Sequence, residues 1–228
     1  MKLLAIETAG EACSAALLID GEITERCRVE PRGHSKLILL MVEELLADAG
    51  LPVSALDAVA FGRGPGSFTG VRIATGVIQG IAFAADLPVA PVSTLAALAQ
   101  RGYREGGEER LLPAFDARMQ EVYWGAYEIG DAGLVEAVAL DQVADPATLA
   151  VPLGDSWCGL GRGWGSYGQQ LETLLGSRLK RVMPELLCSA HDVALLGAAR
   201  AAANDLVPAE MALPVYLRDK VAAKPGKR

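Results

Sequence analysis

The pattern of hydrophobic and polar positions predicts alternating strands and helices along the first hundred residues. Apolar segments at residues 3–7, 14–19 and 22–29 are separated by short turns, as is typical of consecutive strands. A helix is predicted over residues 34–49, and Gly50 ends it. The remaining elements of this half are strands at residues 58–61 and 89–92 and helices at residues 69–85 and 94–100.

A polar, glycine-rich stretch at residues 101–110 interrupts this pattern and is interpreted as the boundary between two halves. After it, residues 111–117 repeat the pattern of residues 3–9, an apolar strand that ends in one acidic residue. Such a repeat predicts an α/β fold of two related halves, with mixed sheets flanked by helices. We expect subdomains at residues 1–105 and 106–228, with the last helix free to return to the first. A chance likeness between two ordinary strands is the alternative.

The second half offers fewer signals. Four glycines alternate with other residues between positions 159 and 165, which is compatible with a second phosphate-type loop and more often forms a flexible turn. Helices are predicted over residues 167–175 and 189–204, with Ser189 as the cap of the second. Cations follow in the tail from Arg218; contact with RNA and plain solvation both remain open, and solvation is more common.

The two early helices are apolar on more sides than one buried face requires. Residues 37–42 are six consecutive apolar residues, which cover every side of a helix. In the second helix, Gly76, Gly80 and Ala84 recur every four residues and form a ridge of small side chains that lets another helix approach closely. Because glycine inside a helix costs about 1 kcal/mol relative to alanine, the ridge indicates a compensating contact. We interpret both helices as a docking face; packing inside a large monomer is the alternative.

A glycine-rich loop precedes the second of these helices. Residues 62–70 read Gly-Arg-Gly-Pro-Gly-Ser-Phe-Thr-Gly, and Ser67 or Thr69 is placed to cap the helix. Strand, glycine loop and helix N-terminus form the arrangement in which proteins present amide groups to phosphate. A tight turn has the same layout, so both interpretations stay open, with Gly64, Gly66, Ser67 and Thr69 as candidate nucleotide-facing residues. No Lys-Ser/Thr pair follows the loop, which excludes a Walker-type phosphate loop.

The sequence gives little evidence for a metal site or for a catalytic nucleophile. The two histidines are His34 and His191, and Ile38 occupies the position one helical turn after His34 where a second metal ligand would share its face. The four cysteines form no Cys-x-x-Cys pair, so neither a zinc site nor a disulfide is predicted. A catalytic triad on Ser67 would need a histidine that the spacing does not bring near it. We therefore expect no metal site and no catalytic residue.

The net charge and the hydropathy of the chain argue against some classes of function. The 228 residues carry a formal net charge of −7, and 51% of them are hydrophobic. An acidic chain is a poor nucleic-acid binder by itself, because phosphate binding needs clustered Lys and Arg. We recognise no secretory leader and no apolar run of transmembrane length, the longest candidate being residues 73–85. These features predict a cytoplasmic protein with no membrane partner.

Four stretches of the sequence resemble one bacterial family. Residues 64–73, Gly-Pro-Gly-Ser-Phe-Thr-Gly-Val-Arg-Ile, are similar to the signature of the TsaB family, also called YeaZ. Three further stretches are similar to other motifs of this family. Residues 3–8 with 12–14 resemble the first hairpin of the family, residues 116–118 with 121–123 resemble its mid-chain motif, and residues 214–218 resemble its C-terminal motif. The resemblance implies two subdomains of the actin, sugar-kinase and heat-shock ATPase (ASKHA) fold, which is ribonuclease H-like. Glu7 departs from active phosphotransferases of this fold, in which Asp ends the first strand.

The resemblance implies a non-catalytic subunit of the complex that forms threonylcarbamoyladenosine next to the anticodon in tRNA. The expected partners are a TsaD-type catalytic subunit and a TsaE-type ATPase, with tRNA reached only through the complex and a homodimer formed by the chain alone. No tightly bound cofactor is implied, and ATP or ADP at the interface with the partner is left open. The residues expected at the partner interface are Leu37, Leu40, Met41, Arg72, Gly76, Gly80 and Ala84.

Two alternative functions stay open. An independent ATPase or phosphotransferase would use Glu7, Asp116 and the glycine loop around a magnesium nucleotide, and a peptidase would fit the older glycoprotease-like label of relatives. Glu7 and the lack of a phosphate-binding lysine argue against the first, and Ile38 argues against the second. If the docking interpretation holds, Gly80→Leu and Met41→Asp should each leave the monomer folded and abolish partner binding.

Overall fold

The computed structural model describes residues 1–218, which form two five-stranded sheets with helices packed on them. The first sheet contains β1 (Lys2–Glu7), β2 (Ala12–Ile19), β3 (Glu22–Val29), β4 (Ala58–Gly62) and β5 (Val89–Val92). The second contains β6 (Arg110–Arg118), β7 (Glu121–Ile129), β8 (Val135–Ala144), β9 (Trp157–Leu160) and β10 (Leu179–Met183). The helices are α1 (His34–Asp48), α2 (Phe68–Ala85), α3 (Thr94–Gly106), α4 (Arg162–Leu175) and α5 (Ala190–Ala202). The basic tail beyond Arg218 lies outside the described residues.

The two sheets have the same topology. In the first, the strand order is β3-β2-β1-β4-β5, with β1 antiparallel to β2 and parallel to β4. In the second, the order β8-β7-β6-β9-β10 repeats it, with β6 antiparallel to β7 and parallel to β9. Each half is therefore a three-stranded antiparallel meander extended by two parallel crossover strands. This repetition confirms the predicted α/β class and the internal repeat.

The core of the first half explains why β1 is apolar on both faces. Leu4 and Ile6 pack on one side of the sheet against residues of α1 and α2. Leu3 and Ala5 pack on the other side against α5, which returns from the end of the chain. A strand buried on both faces requires an unbroken apolar run rather than alternation. The position of a domain boundary along the chain stays a prediction.

The predicted end of helix α3 is wrong. Helix α3 continues to Gly106 instead of ending near Gln100, so residues 101–106 of the polar stretch interpreted as a boundary are helical. Its charged residues are paired: Arg101 with Glu105 one turn on, and Arg104 with Asp192 of α5. The charged residues of this stretch therefore belong to a helix and form ion pairs on its surface.

The glycine run at residues 159–165 is not a flexible turn, because it joins a strand directly to a helix; a phosphate-binding role for it stays an untested alternative. It ends β9 and begins α4, which starts five residues earlier than predicted and is kinked at Tyr167. Gly159 lies under the buried indole of Trp164, and a Cβ on Gly163 would lie 2.8 Å from Ala114. These two glycines let the helix pack close to the second sheet, because a side chain at either position would collide.

Helix α2 is the one element, within residues 1–218, that is long and apolar enough to cross a membrane by length and composition alone. Its Ala74, Ile78 and Ala82 are buried in the core of the first half against β4 and α1. Core helices of water-soluble proteins commonly meet the same criterion.

Candidate functional site

Helix α1 has one face in the core and one face in solvent. Ile38, Met41 and Leu45 pack under the first sheet, and Met41 is only 3% exposed. Leu40 is 53% exposed, and Leu37 is partly buried at the edge of the core. The apolar run is therefore divided between the chain's own interior and an outward apolar surface.

The placement of Met41 corrects one expectation. An aspartate at this position would put a charge into the closely packed interior between α1 and the sheet, which is costly without a partner. Met41→Asp would therefore damage the fold itself, and Leu40 is the residue of this pair that offers surface to a partner.

Helix α2 carries the predicted ridge on its solvent side. Gly76, Gly80 and Ala84 are exposed, and a Cβ on either glycine would meet no atom within 4 Å. Phe83 beside the ridge is 83% exposed. Among the described residues, no contact offsets the helix stability that the two glycines cost. The large aromatic side chain of Phe83 is exposed to solvent next to them.

The ridge ends at Arg72, one helical turn before Gly76. The Arg72 guanidinium lies 3.7 Å from the centre of the Phe68 ring, and its Nε donates a hydrogen bond of 3.0 Å to the Tyr216 hydroxyl. The two rings lie 5.8 Å apart, and both are about half exposed. Sequence reasoning found Arg72 and missed its two aromatic partners, since Tyr216 lies 144 residues away along the chain.

The glycine loop at residues 62–70 is packed against the turn between β1 and β2. Ser67 N donates to Ala9 O at 2.8 Å, and Thr8 Oγ1 donates to Gly70 O at 2.7 Å. A Cβ on Gly66 would lie 2.6 Å from Ala9 O, and one on Gly70 would be equally prohibited by Thr8 O. The glycines are thus needed for close backbone approach within the chain.

The amide groups of this loop are largely engaged by the chain itself. Gly64 N donates to the Thr94 hydroxyl at 3.1 Å. Ser67 caps α2 as predicted, because its Oγ accepts from Gly70 N at 3.3 Å. Thr69 is exposed in the first turn of that helix. This geometry favours the tight-turn interpretation, and a nucleotide-facing role for these residues stays a prediction.

Glu7 ends β1 as a fully buried carboxyl group. Its Oε1 accepts a hydrogen bond from Ala9 N, while Oε2 lies against Gly62 with no partner among the described residues. Burial raises its pKa from 4.5 to about 7, and backbone hydrogen bonds from Ala9 and Gly10 oppose that rise. A carboxyl group enclosed in this way is not placed to hold a metal-bound nucleotide in an open cleft.

Asp116, the corresponding acid of the second half, is also engaged. It accepts from Arg118 N at 2.8 Å, pairs with the Arg118 guanidinium at 2.9 Å, and accepts from the Tyr167 hydroxyl at 3.1 Å. These bonds fix a turn in which Arg118, Met119 and Gln120 all have positive φ. Left-handed backbone at non-glycine residues costs roughly 1–2 kcal/mol each, so the turn depends on such contacts.

A polar cluster that the sequence analysis missed joins α3 to the second sheet. Ser93 caps α3 and donates to Asp141 Oδ2 at 2.6 Å, and the Tyr127 hydroxyl donates to Asp141 Oδ1 at 2.6 Å. Burial raises the pKa of Asp141, and the hydrogen bond from Ser93 is the strongest opposing influence. The three residues come from separate elements, so no local pattern signals the cluster. Because these side chains hydrogen-bond to one another, we interpret the cluster as a structural contact between α3 and the second sheet.

The histidines lie on separate elements. His34 begins α1 and His191 lies in the first turn of α5, and no hydrogen bond in the described range joins either to Ser67. No group of three or more His, Cys, Asp or Glu side chains suited to a metal occurs within residues 1–218. The absence of a metal site stays a prediction.

Comparisons with known proteins agree over the length of the chain. The TsaD family model, described as tRNA N6-adenosine threonylcarbamoyltransferase, matches residues 28–224. The tRNA threonylcarbamoyladenosine biosynthesis protein TsaB of Escherichia coli is 40% identical over 235 residues, covering 100% of both chains. The Haemophilus influenzae protein of the same name is 39% identical, over 100% of this chain and 98% of that relative.

A solved structure supports the same assignment. YeaZ from Pseudomonas aeruginosa is 48% identical, covers 95% of this chain and 99% of its own, and superimposes with a TM-score of 0.89. The glycine loop, the mid-chain turn and the C-terminal segment that carry the resemblance lie together in the fold. The chain therefore belongs to the TsaB family of tRNA threonylcarbamoyladenosine biosynthesis proteins.

Proposed function

We propose that this chain is a non-catalytic subunit that binds and supports a TsaD-type catalytic subunit in the formation of threonylcarbamoyladenosine in tRNA. Family membership supplies the pathway. The docking face of the proposal consists of the outward sides of α1 and α2, defined by Leu40, Arg72, Gly76, Gly80, Phe83 and Ala84.

The observation that carries the proposal is the open ridge of α2. Two glycines inside a helix reduce its stability by about 1 kcal/mol each relative to alanine, and no residue among 1–218 fills the space that they leave. A helix of another protein can approach such a ridge closely, and burying the exposed Phe83 and Leu40 side chains against a partner would add to the affinity.

The state of the acidic residues supports a non-catalytic role over an independent phosphotransferase. Glu7 is enclosed, and Asp116 is engaged by Arg118 and Tyr167. The peptidase alternative has no support from Ser67, whose hydroxyl accepts the capping hydrogen bond of α2. Purified protein alone should show neither nucleotide turnover nor peptide cleavage above background, and metal-dependent hydrolysis by the isolated chain would contradict the proposal.

The assembly around this subunit is part of the same proposal. A TsaE-type ATPase joins the larger complex, tRNA is bound only through that complex, and all of this takes place in the cytoplasm. Without the catalytic subunit, the apolar docking face is expected to pair with a second copy of the chain, because exposed apolar patches of this kind favour association. ATP or ADP at the interface between the subunits is tested by adding nucleotide to the purified pair and measuring its binding against each subunit alone.

The test of the docking face is titration calorimetry with the TsaD-type subunit of the same organism. Gly80→Leu fills the ridge without disturbing the monomer, because the Cβ position is open, and should abolish binding. Gly168→Leu is the matched control: it makes the same change on helix α4 of the second half, where a Cβ has a nearest neighbour at 3.8 Å. Equal affinity of Gly80→Leu and the unmodified chain would refute docking through α2.

A further inference from the structure

The segment after Pro208 crosses from the first half to the second. Gln79 of α2 donates to Ala212 O at 3.1 Å, and Val215 N donates to Arg63 O in the glycine loop at 2.8 Å. At its end, Arg218 pairs with Glu121 and donates to Arg118 O at 3.3 Å. We call residues 212–218 the strap, because they join α2 and the glycine loop to the turn between β6 and β7.

The strap places Tyr216 on the surface of α2. There its hydroxyl accepts from Arg72 Nε, and its ring centre lies 5.9 Å from the guanidinium, which stacks on Phe68 at 3.7 Å. The Arg72 side chain is thus held at Nε and on a ring face while it remains exposed. Its two terminal Nη groups find no acceptor within residues 1–218 and are available to an outside group.

Arg72 lies on the same side of α2 as the glycine ridge. It is four residues before Gly76 and eight before Gly80, so the three positions follow one row along the helix. A partner helix that packs along the glycines reaches Arg72 at the end of the ridge. An immobilised guanidinium with free Nη groups presents the fork that binds a carboxylate through two parallel hydrogen bonds.

We propose that the strap completes the docking face by holding Arg72 in position for a carboxylate of the TsaD-type subunit. This inference rests on the proposed function and adds the chemistry of the contact at the end of the ridge. Arg72 is the anchor, and Tyr216 is a positioning residue that acts through it. Fixing a long side chain before binding reduces the conformational entropy lost in the complex, which is how positioning increases affinity.

The test is a double-mutant cycle in titrations with the TsaD-type subunit. Arg72→Ala should weaken binding by about tenfold or more, as is usual for an arginine that anchors an interface. Tyr216→Ala should weaken it less, and the double variant no more than Arg72→Ala alone, because the tyrosine acts only through the arginine. Full additivity of the two losses would overturn the positioning role. Tyr216→Phe, which keeps the ring, should recover part of the affinity.

Three measurements identify the group that Arg72 binds. Arg72→Lys keeps the charge and loses the planar fork, so it should remain well below the unmodified chain in affinity. Added salt should weaken binding of the unmodified chain more than binding of Arg72→Ala. An equal salt dependence would exclude a carboxylate partner. Loss of tRNA binding by the assembled pair with unchanged affinity between the subunits would assign Arg72 to RNA and overturn the inference.

Controls separate this inference from the proposal on which it rests. Arg28→Ala removes an exposed arginine from β3 and should leave affinity unchanged. The thermal unfolding midpoints of the Arg28, Arg72 and Tyr216 variants should lie close to that of the unmodified chain, since these side chains lie on the surface. If Gly80→Leu abolishes binding and Arg72→Ala does not affect it, the inference fails and the docking face stands. If neither change affects binding, the docking face itself is wrong.

Discussion

At the scale of single residues, Glu7 makes the stability of the chain depend on pH. Its pKa rises from 4.5 to about 7 on folding, so the folded state holds a proton that the unfolded state has released. The free energy of unfolding therefore falls as pH rises from about 4.5 to about 7, by about 3 kcal/mol in total. The nearby thiols of Cys13 and Cys188 have raised pKa values and stay protonated throughout this range.

Glu7→Gln tests this dependence. An amide keeps the acceptor for Ala9 N and cannot ionise, so the variant should be more stable than the unmodified chain at pH 8 and similar to it at pH 4.5. Urea unfolding at both pH values measures the difference. A stability difference that is the same at both pH values would show that Glu7 does not titrate near neutrality.

Two glycines of α2 should respond oppositely to alanine. Gly70→Ala forces a Cβ against Thr8 O and should destabilise the chain by several kcal/mol, since neither backbone can move without disturbing the loop. Gly76→Ala has open space around it and should stabilise the isolated chain by up to about 1 kcal/mol. Chemical unfolding measures both, and a destabilised Gly76→Ala would mean that the ridge is already packed in the isolated chain.

Residue-level signals allowed some of these features to be predicted. Ser189 caps α5 as predicted, and Ser67 is the one of the two candidates, Ser67 and Thr69, that caps α2, because a hydroxyl before an apolar helix has a specific backbone partner. The left-handed turn at residues 118–120 had no such signal, since it contains no glycine and depends on Asp116 and Arg218. Contacts from distant parts of the chain decide conformations of this kind.

At the scale of elements, α1 shows why a continuous apolar run hides which residues face the core. The run at residues 37–42 predicted two apolar faces, and both exist. The sequence did not distinguish Leu40 from Met41, because neighbouring apolar residues have the same hydropathy and differ only in the direction set by the sheet.

Leu40→Asp and Met41→Asp form a matched pair across this helix. Leu40→Asp should leave the unfolding midpoint nearly unchanged and weaken binding of the TsaD-type subunit, since it puts a charge on the docking face. Met41→Asp should lower the unfolding midpoint sharply, because it buries an unpaired charge. Thermal unfolding and titration on both variants measure this contrast. Comparable stability of the two variants would mean that α1 is rotated relative to the described orientation.

At the scale of the whole molecule, the repeated sheet could be predicted, and most of the contacts between distant parts of the chain could not. Two apolar strands with a similar pattern sufficed to predict two related halves. The strap and the cluster of Ser93 with Asp141 join residues far apart in sequence. The return of the last helix, α5, to the first half was an open possibility in the sequence analysis, and its packing on β1 bears it out. The hydrophobic periodicity of a short sequence segment carries no information on such long-range pairs.

The central claim, docking through the outward side of α1 and α2, is tested most directly by hydroxyl-radical footprinting with and without the TsaD-type subunit, at a concentration at which the chain alone is monomeric. The method reports the solvent access of individual side chains. Leu140 on β8 is 90% exposed and lies on the second sheet, so it serves as an internal reference. We predict that oxidation of Phe83 and Leu40 falls strongly in the complex while oxidation of Leu140 is unchanged. Undiminished oxidation of Phe83 and Leu40 in a mixture that forms the complex would contradict the account.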